Sequence, residues 1–312
     1  MAVTTVPLAT TPAATAGHTR RHRRQDSRAG WGLMSPFLVL YVLFLIGPLV
    51  YGVIMSFSNA SLVQSGLGGS AGFSNYSEAL HSHDFWSSMW HTVLFTIMTT
   101  PPLVVLALVF AMLAERLRRG RWFWRLVFFA PYVVPSAAVA LIFGWLYAAQ
   151  GGLFGAWLSD LGIDSPNWLG DANWAMASIA LMTIWWTIGF NFVLYLAGLA
   201  DIPRELYEAA AVDGATPWVQ MRRITIPLLK RTTMLITMLQ VLASLKVFDQ
   251  MYLLTAGGPN FSTRPVIQYI YDMGFTDYRA GYSAAASMLY FIGLVLVSAI
   301  WFAINRRQTR EG

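Results

Sequence analysis

The chain has 312 residues, of which 56% are hydrophobic and only 12% charged, and its net charge is +6. A soluble chain carries about a quarter of its residues as charges, so the composition excludes an ordinary soluble domain and points to a membrane protein. No cysteine is present, which excludes disulfides, thiol catalysis and cysteine-ligated metals.

Residues 1–30 are rich in Ala, Thr and Pro and then turn basic at Arg20, Arg21, Arg23, Arg24 and Arg28. With no apolar face to bury, this tail is expected to be disordered. The apolar run that begins at Leu33 is too long for the core of a signal peptide and lacks a small-residue cleavage site after it. Six stretches are long enough to cross the hydrocarbon layer as helices, at 33–57, 90–113, 126–148, 174–199, 233–254 and 284–304. Pro48, Pro101, Pro102, Pro131 and Pro135 fall within them and predict kinks, because neighbouring helices can take up the carbonyls a proline frees. Three connections, near 58–88, 149–173 and 255–283, are rich in Gly, Ser and Asn and read as loops. Trp157, Trp168 and Trp174 suit an interfacial belt.

Eighteen of the 21 Lys and Arg residues fall in the N-terminal tail, the 114–125 loop, the 200–232 loop and the C-terminal tail, all on one side of a six-span arrangement. The other side keeps only Arg264 and Arg279, and Lys246 lies within a span. The excess of positive charge predicts that both termini face the cytoplasm. The expectation is an all-α, multi-pass protein of the cell membrane, with a six-span domain over residues 31–305 and a short tail at 306–312.

Ionisable and amide side chains inside spans need a reason to be there. Lys246 and Asp249 are three residues apart and would share a helix face, either neutralising each other in the bundle or lining a polar path. Gln240 on the fifth span and Asn191 and Tyr195 on the fourth carry groups that can hydrogen-bond sugar hydroxyls. Trp185 and Trp186 could stack on a sugar ring or simply pack. No GxxxxGK[ST] loop occurs, so ATP should not bind this chain. His81, His83 and Asp84 could hold a metal but fit a solvated loop better, and no cofactor is expected.

One polar stretch, 201–229, interrupts the apolar chain. Pro203 suits a first helical turn, and Glu205 and Glu208 suit the positive end of the helix dipole. Leu206, Ala209, Ala210 and Asp213 fall on one face; Gly214 reads as a stop, and Thr216-Pro217 as an N-cap and restart. A DNA-binding helix–turn–helix is disfavoured because the segment is tethered at both ends to spans, so no nucleic-acid partner is expected; an amphipathic connector lying on the membrane is the blander alternative.

Glu208-Ala209-Ala210, Gly214, Ile224 and Ile226-Pro227 resemble, in register, the EAA motif of binding-protein-dependent ABC importer permeases, with Ile226 where Leu is usual. The run Lys246-Val247-Phe248-Asp249, Tyr252 and Leu254 through Pro259 is similar to a segment of the carbohydrate-uptake branch. The resemblance implies a permease, not an enzyme, whose 201–229 loop carries a cytoplasmic coupling helix that docks on a separate ATPase. It also implies a second permease, two ATPase subunits holding ATP and Mg, a solute-binding protein, and a carbohydrate-like solute passing between lipid-embedded helices. A stand-alone secondary transporter or channel remains the alternative, and a membrane-embedded enzyme is disfavoured by the lack of a catalytic constellation.

Overall fold

The structure is a computed structural model that describes residues 31–116 and 121–310. The basic tail at 1–30, expected to be disordered, lies outside the described residues. Residues 1–54 and 55–312 form two compact units. The first is represented by α1 (Trp31–Ser56), an apolar helix long enough to cross a membrane. Pro48 removes a donor there, and the turn before it, Val42–Ile46, widens to a π-helix in which the Gly47 N–H reaches the Val42 carbonyl.

Among its described residues the second unit's regular elements are all helices, joined by loops, with one isolated antiparallel bridge between Ser58 and Ser70. Its elements are α2 (Ser74–His81), α3 (His83–Arg116), α4 (Arg121–Val133), α5 (Ser136–Leu146), α6 (Leu153–Asp160), α7 (Ala172–Ala200), α8 (Arg204–Val212), α9 (Pro217–Leu228), α10 (Lys230–Leu245), α11 (Asp249–Thr255), α12 (Val266–Tyr271, continued by a π turn to Thr276) and α13 (Ala280–Arg310). Among the described residues α1, α3, α7 and α13 are unbroken helices of spanning length, and the bent pairs α4–α5 and α9–α10 raise the number of spans to as many as six.

The core is built on α3 against α7. Leu103, Ala107, Ala111 and Ala114 recur on one face of α3 and are buried with Ile188, Phe192, Tyr195 and Leu196 of α7, joined by Leu229 and Ile236. Small residues at a membrane helix contact let backbones approach, which is how packing replaces the hydrophobic drive that lipid removes. The approach of α4 to α7 is closer still: a Cβ built on Gly189 would stand 2.1 Å from the Phe128 carbonyl oxygen. Thr92, Thr96 and Thr99 return their hydroxyls to carbonyls four residues back, leaving few unpaired polar atoms inside α3.

The prolines act unequally. Pro101 and Pro102 sit inside a continuous α3, whereas Pro135 separates α4 from α5 at an angle of 94°. That is a break rather than the expected kink, and the freed carbonyl of Val134 accepts the Trp186 indole N–H at 3.0 Å. The fifth predicted span also departs from expectation. The helix ends at Leu245, whose carbonyl accepts the Tyr290 hydroxyl of α13, and a new one begins at Asp249. No Pro or Gly marks the break; instead Val247 buries with Phe95 and Met251, while Phe248 stacks on Tyr252. Tertiary packing overrides the local helical pattern here. The connections read as loops contain α2, α6 and α12.

Candidate functional site

The 201–229 loop folds as two short helices with a built turn between them. Pro203 is the N-cap of α8, immediately before its first turn. At the other end the Gly214 N–H bonds to the Ala211 carbonyl and the Ala215 N–H to the Ala210 carbonyl. Together with a φ of +78° at Gly214 this is a Schellman stop, which satisfies carbonyls the helix end would leave unpaired. Thr216 accepts the Val219 N–H, and Pro217 opens α9 as expected.

Few side chains hold α8, and the side-chain bonds that do so run to α9. The Tyr207 hydroxyl pairs with the Thr225 hydroxyl at 2.9 Å, the Gln220 amide donates to the Tyr207 carbonyl, and Ile202 is buried at the base. Much of α8 faces outward: Leu206, Glu208, Ala209 and Asp213 are exposed, and Val212 is 89% exposed. The two motif alanines therefore differ. Ala209 is on the open face, whereas Ala210 is half-buried in a notch of about 460 Å³ between α8 and α9, lined also by Asp213, Gly214, Val219 and Arg223.

Within the bundle the structure brings Asn191 and Gln240 together. The Asn191 amide donates to Gln240 Oε1 at 3.1 Å, the Gln240 amide donates to Ser244 Oγ at 3.3 Å, and Ser244 Oγ pairs with Thr99 Oγ1 at 3.1 Å. This buried chain of bonds ties α7, α10 and α3 to one another, and Asn191 Oδ1 remains unpaired at its end. Tyr195 is fully buried one turn further along α7. Trp186 is committed to packing by its bond to Val134; Trp185 lies half-open against Phe143.

Lys246 and Asp249 do not form the neutral buried pair considered above. The break after Leu245 takes them off a common helix, both are exposed, and Asp249 instead accepts the Ser136 hydroxyl at 3.0 Å. Either alanine substitution alone is therefore expected to leave insertion and monodisperse yield of this chain unchanged, with Asp249→Ala costing about 1 kcal/mol or less for one exposed hydrogen bond. Loss of folded protein in both single variants, restored by the charge swap, would reinstate the pair.

The strongest buried charge is one that charge counting assigned to a loop. Arg264 is only 5% exposed, lies 3.9 Å from the Phe261 ring centroid and 3.6 Å from Asp84, and sits one turn before the buried Gln268. Gly257, with a φ of +85°, leaves room for both: a Cβ there would meet Gln268 Nε2 at 2.9 Å and Arg264 Cβ at 3.0 Å. The signal available in sequence was the Gly257-Gly258-Pro259 turn just before an aromatic and an arginine. Nearby, Arg279 bonds to Glu78 at 2.7 Å, which pushes its already high pKa further up. No group of three or more His, Asp or Glu residues able to hold a metal occurs among the described residues, and His83 and Asp84 are exposed.

A family model described as the binding-protein-dependent transport system inner membrane component matches residues 64–310. The chain belongs to that family. As a binding-protein-dependent inner membrane component it is a multi-pass permease subunit of a transport system and not an enzyme. It is 34% identical to the sulfoquinovosyl glycerol transport system permease protein SmoG of Agrobacterium fabrum, over 88% of this chain and 90% of that one. It is 31% identical to the trehalose/maltose transport system permease protein MalF of Thermococcus litoralis, over 92% and 97%. A chain in a solved bacterial ABC transporter for import of the acidic polysaccharide alginate shares its fold, with a TM-score of 0.79 at 24% identity, covering 92% of this chain and 99% of that one. Within this inner membrane component, the exposed α8 and the buried Asn191–Gln240 link are the two features that need a transport role.

Proposed function

We propose that the chain passes a sugar or sugar-like solute inward, as one of two permease subunits fed by a solute-binding protein and driven by ATP and Mg on two separate ATPase subunits. The observation that carries this reading is α8: a nine-residue helix held by little besides Tyr207 and Ile202, stopped by a Schellman turn and displaying Leu206, Glu208, Ala209 and Asp213. A helix end fixed this firmly with its apolar side chains uncovered fits a partner's cleft, with the notch beside Ala210 able to receive a partner side chain. The carbohydrate class rests on what the relatives are named for, SmoG and MalF among them. Asn191, Tyr195, Gln240, Lys246 and Asp249 are the candidate residues along the solute path. The excess of Lys and Arg in the loops on that side supports a cytoplasmic α8 and cytoplasmic termini.

Reconstitution tests the reading. With the partner permease, the ATPases and the cognate binding protein, vesicles should accumulate one member of a labelled sugar panel only when ATP is supplied on the α8 side, and this chain alone should be inert. In intact cells Asp213→Cys should resist an impermeant thiol reagent, which this cysteine-free chain makes easy to read. ATP-independent uptake by the chain alone, or labelling of position 213 from outside, overturns the assignment.

A further inference from the structure

A wide apolar groove lies away from both features above. It has a volume of about 600 Å³, within the roughly 300–1,000 Å³ of small-molecule sites. One wall is α3, from Val104 to Leu113; the other is α9 and the start of α10, through Trp218, Met221, Ile226 and Thr233. Its walls offer hardly any polar group beyond Tyr195 and Thr233, so a sugar or a nucleotide has no partner there.

The polar chemistry lies at its edge. Arg222 follows Met221 and is one turn from both Trp218 and Ile226, while Lys230 is one turn from Ile226 and from Thr233. Both cations are exposed, as are Arg223 and Arg231, and none of the four makes an ion pair with a described acidic residue. The helix that carries Trp218 and Arg222 is bent by 60° from α10, so the two do not share one axis. Trp218, 65% exposed, is the side chain type that settles at headgroup level. Exposed apolar side chains beside exposed cations match a surface carrying acyl chains and negative charge.

We propose that this groove binds an anionic glycerophospholipid, with an acyl chain along Val105, Val109 and Leu113 of α3 and the phosphate between Arg222 and Lys230. The occupant is argued from charge complementarity: a zwitterionic lipid would fill the apolar groove equally but leave the two cations without net compensation. Because α9 continues directly from the Thr216 cap of the α8–α9 turn, a lipid here braces the loop from the membrane side.

Native mass spectrometry of the assembled transporter, released from detergent after incubation with equal dioleoyl-phosphatidylglycerol and dioleoyl-phosphatidylcholine, tests this without any transport readout. Wild-type protein should retain the glycerol lipid about tenfold over the choline lipid. Arg222→Gln with Lys230→Gln should bring the ratio near one, and Val109→Trp, which fills the groove, should lower retention of both lipids. Equal retention by the wild type overturns the proposal, as does displacement of the lipid by soluble glycerol phosphate, which would mark a free-anion site. So does efficient crosslinking of Val109→Cys to a partner subunit in membranes, which would show that protein covers the groove. Loss of sugar uptake with lipid preference intact would count against the proposed function alone.

Discussion

Gly214→Val is expected to abolish ATP-driven uptake while leaving membrane insertion unchanged. Gly214 sits at φ +78° with nothing within 4 Å of where a Cβ would stand, so the substitution meets no steric wall. Its cost is conformational, about 1–2 kcal/mol for an L-residue in the left-handed region and more for a β-branched one. The cost falls on the turn that fixes how α8 ends and α9 begins, since two bonds of the Schellman stop converge there. At about 1.4 kcal/mol per tenfold, the observed relation of the two helices loses about tenfold of its preference over others. Gly214→Asn, which tolerates the same region, should keep most of the activity. A companion variant, Ala209→Trp, acts without touching the turn: it places bulk on the open face of α8 and should weaken capture of the ATPase at wild-type expression. The pair separates turn geometry from surface closeness. Full uptake in Gly214→Val and Ala209→Trp alike would reduce the loop to a connector.

The second large effect is expected in the bundle. Gly189→Ala, and more so Gly189→Val, should destabilise the folded chain by about 3 kcal/mol or more, because the added Cβ would press on the Phe128 carbonyl at 2.1 Å and on Phe129 Cα at 2.8 Å. Both obstacles are backbone, and Phe128 is itself fixed between Phe110 and Phe192, at centroid separations of 4.8 and 5.0 Å. No rotamer change can relieve the clash, so α4 must move off α7. Thermal unfolding in detergent should show a lower midpoint and a loss of monodisperse protein. A wild-type midpoint for Gly189→Val would mean that α4 and α7 are not in close contact.

The loop around Gly214 was legible in the sequence because its determinants are local. Proline at a helix start, glycine at a positive φ and threonine as a cap act over three or four residues and need no knowledge of neighbours. Spans were legible for a related reason, since length and composition alone satisfy the bilayer. The breaks were not. Pro135 announced a disturbance, but whether it kinks or severs the helix depends on Trp186, more than fifty residues away, taking the freed carbonyl. The end of α10 at Leu245 had no local sign at all, because its last carbonyl is satisfied by Tyr290 from α13. That distant bond, with the burial of Val247 against Phe95 and Met251, is why Lys246 and Asp249 read as helical neighbours and are not. The burial of Arg264 was not legible for the opposite reason: counting charge by segment says which side an arginine falls on and nothing of its neighbours, here Phe261 and Asp84.

The run of bonds from Asn191 through Gln240 and Ser244 to Thr99 has a mechanical consequence. Sliding α3, α7 or α10 past one another by a residue would sever several of these links at once in a medium that offers no water in exchange. Those three helices therefore behave as one stiff strut. Compliance is left to the places where the backbone ladder is already interrupted, at Val134–Pro135, at Leu229 and between Leu245 and Asp249. A load applied at the Gly214 turn would cross the widened π turn Met221–Thr225 and then the bend at Leu229, where the strut begins. Under the proposed function, the exposed loop and the buried amides would be the handle and the shaft of one lever, with its fulcrum in that stretch.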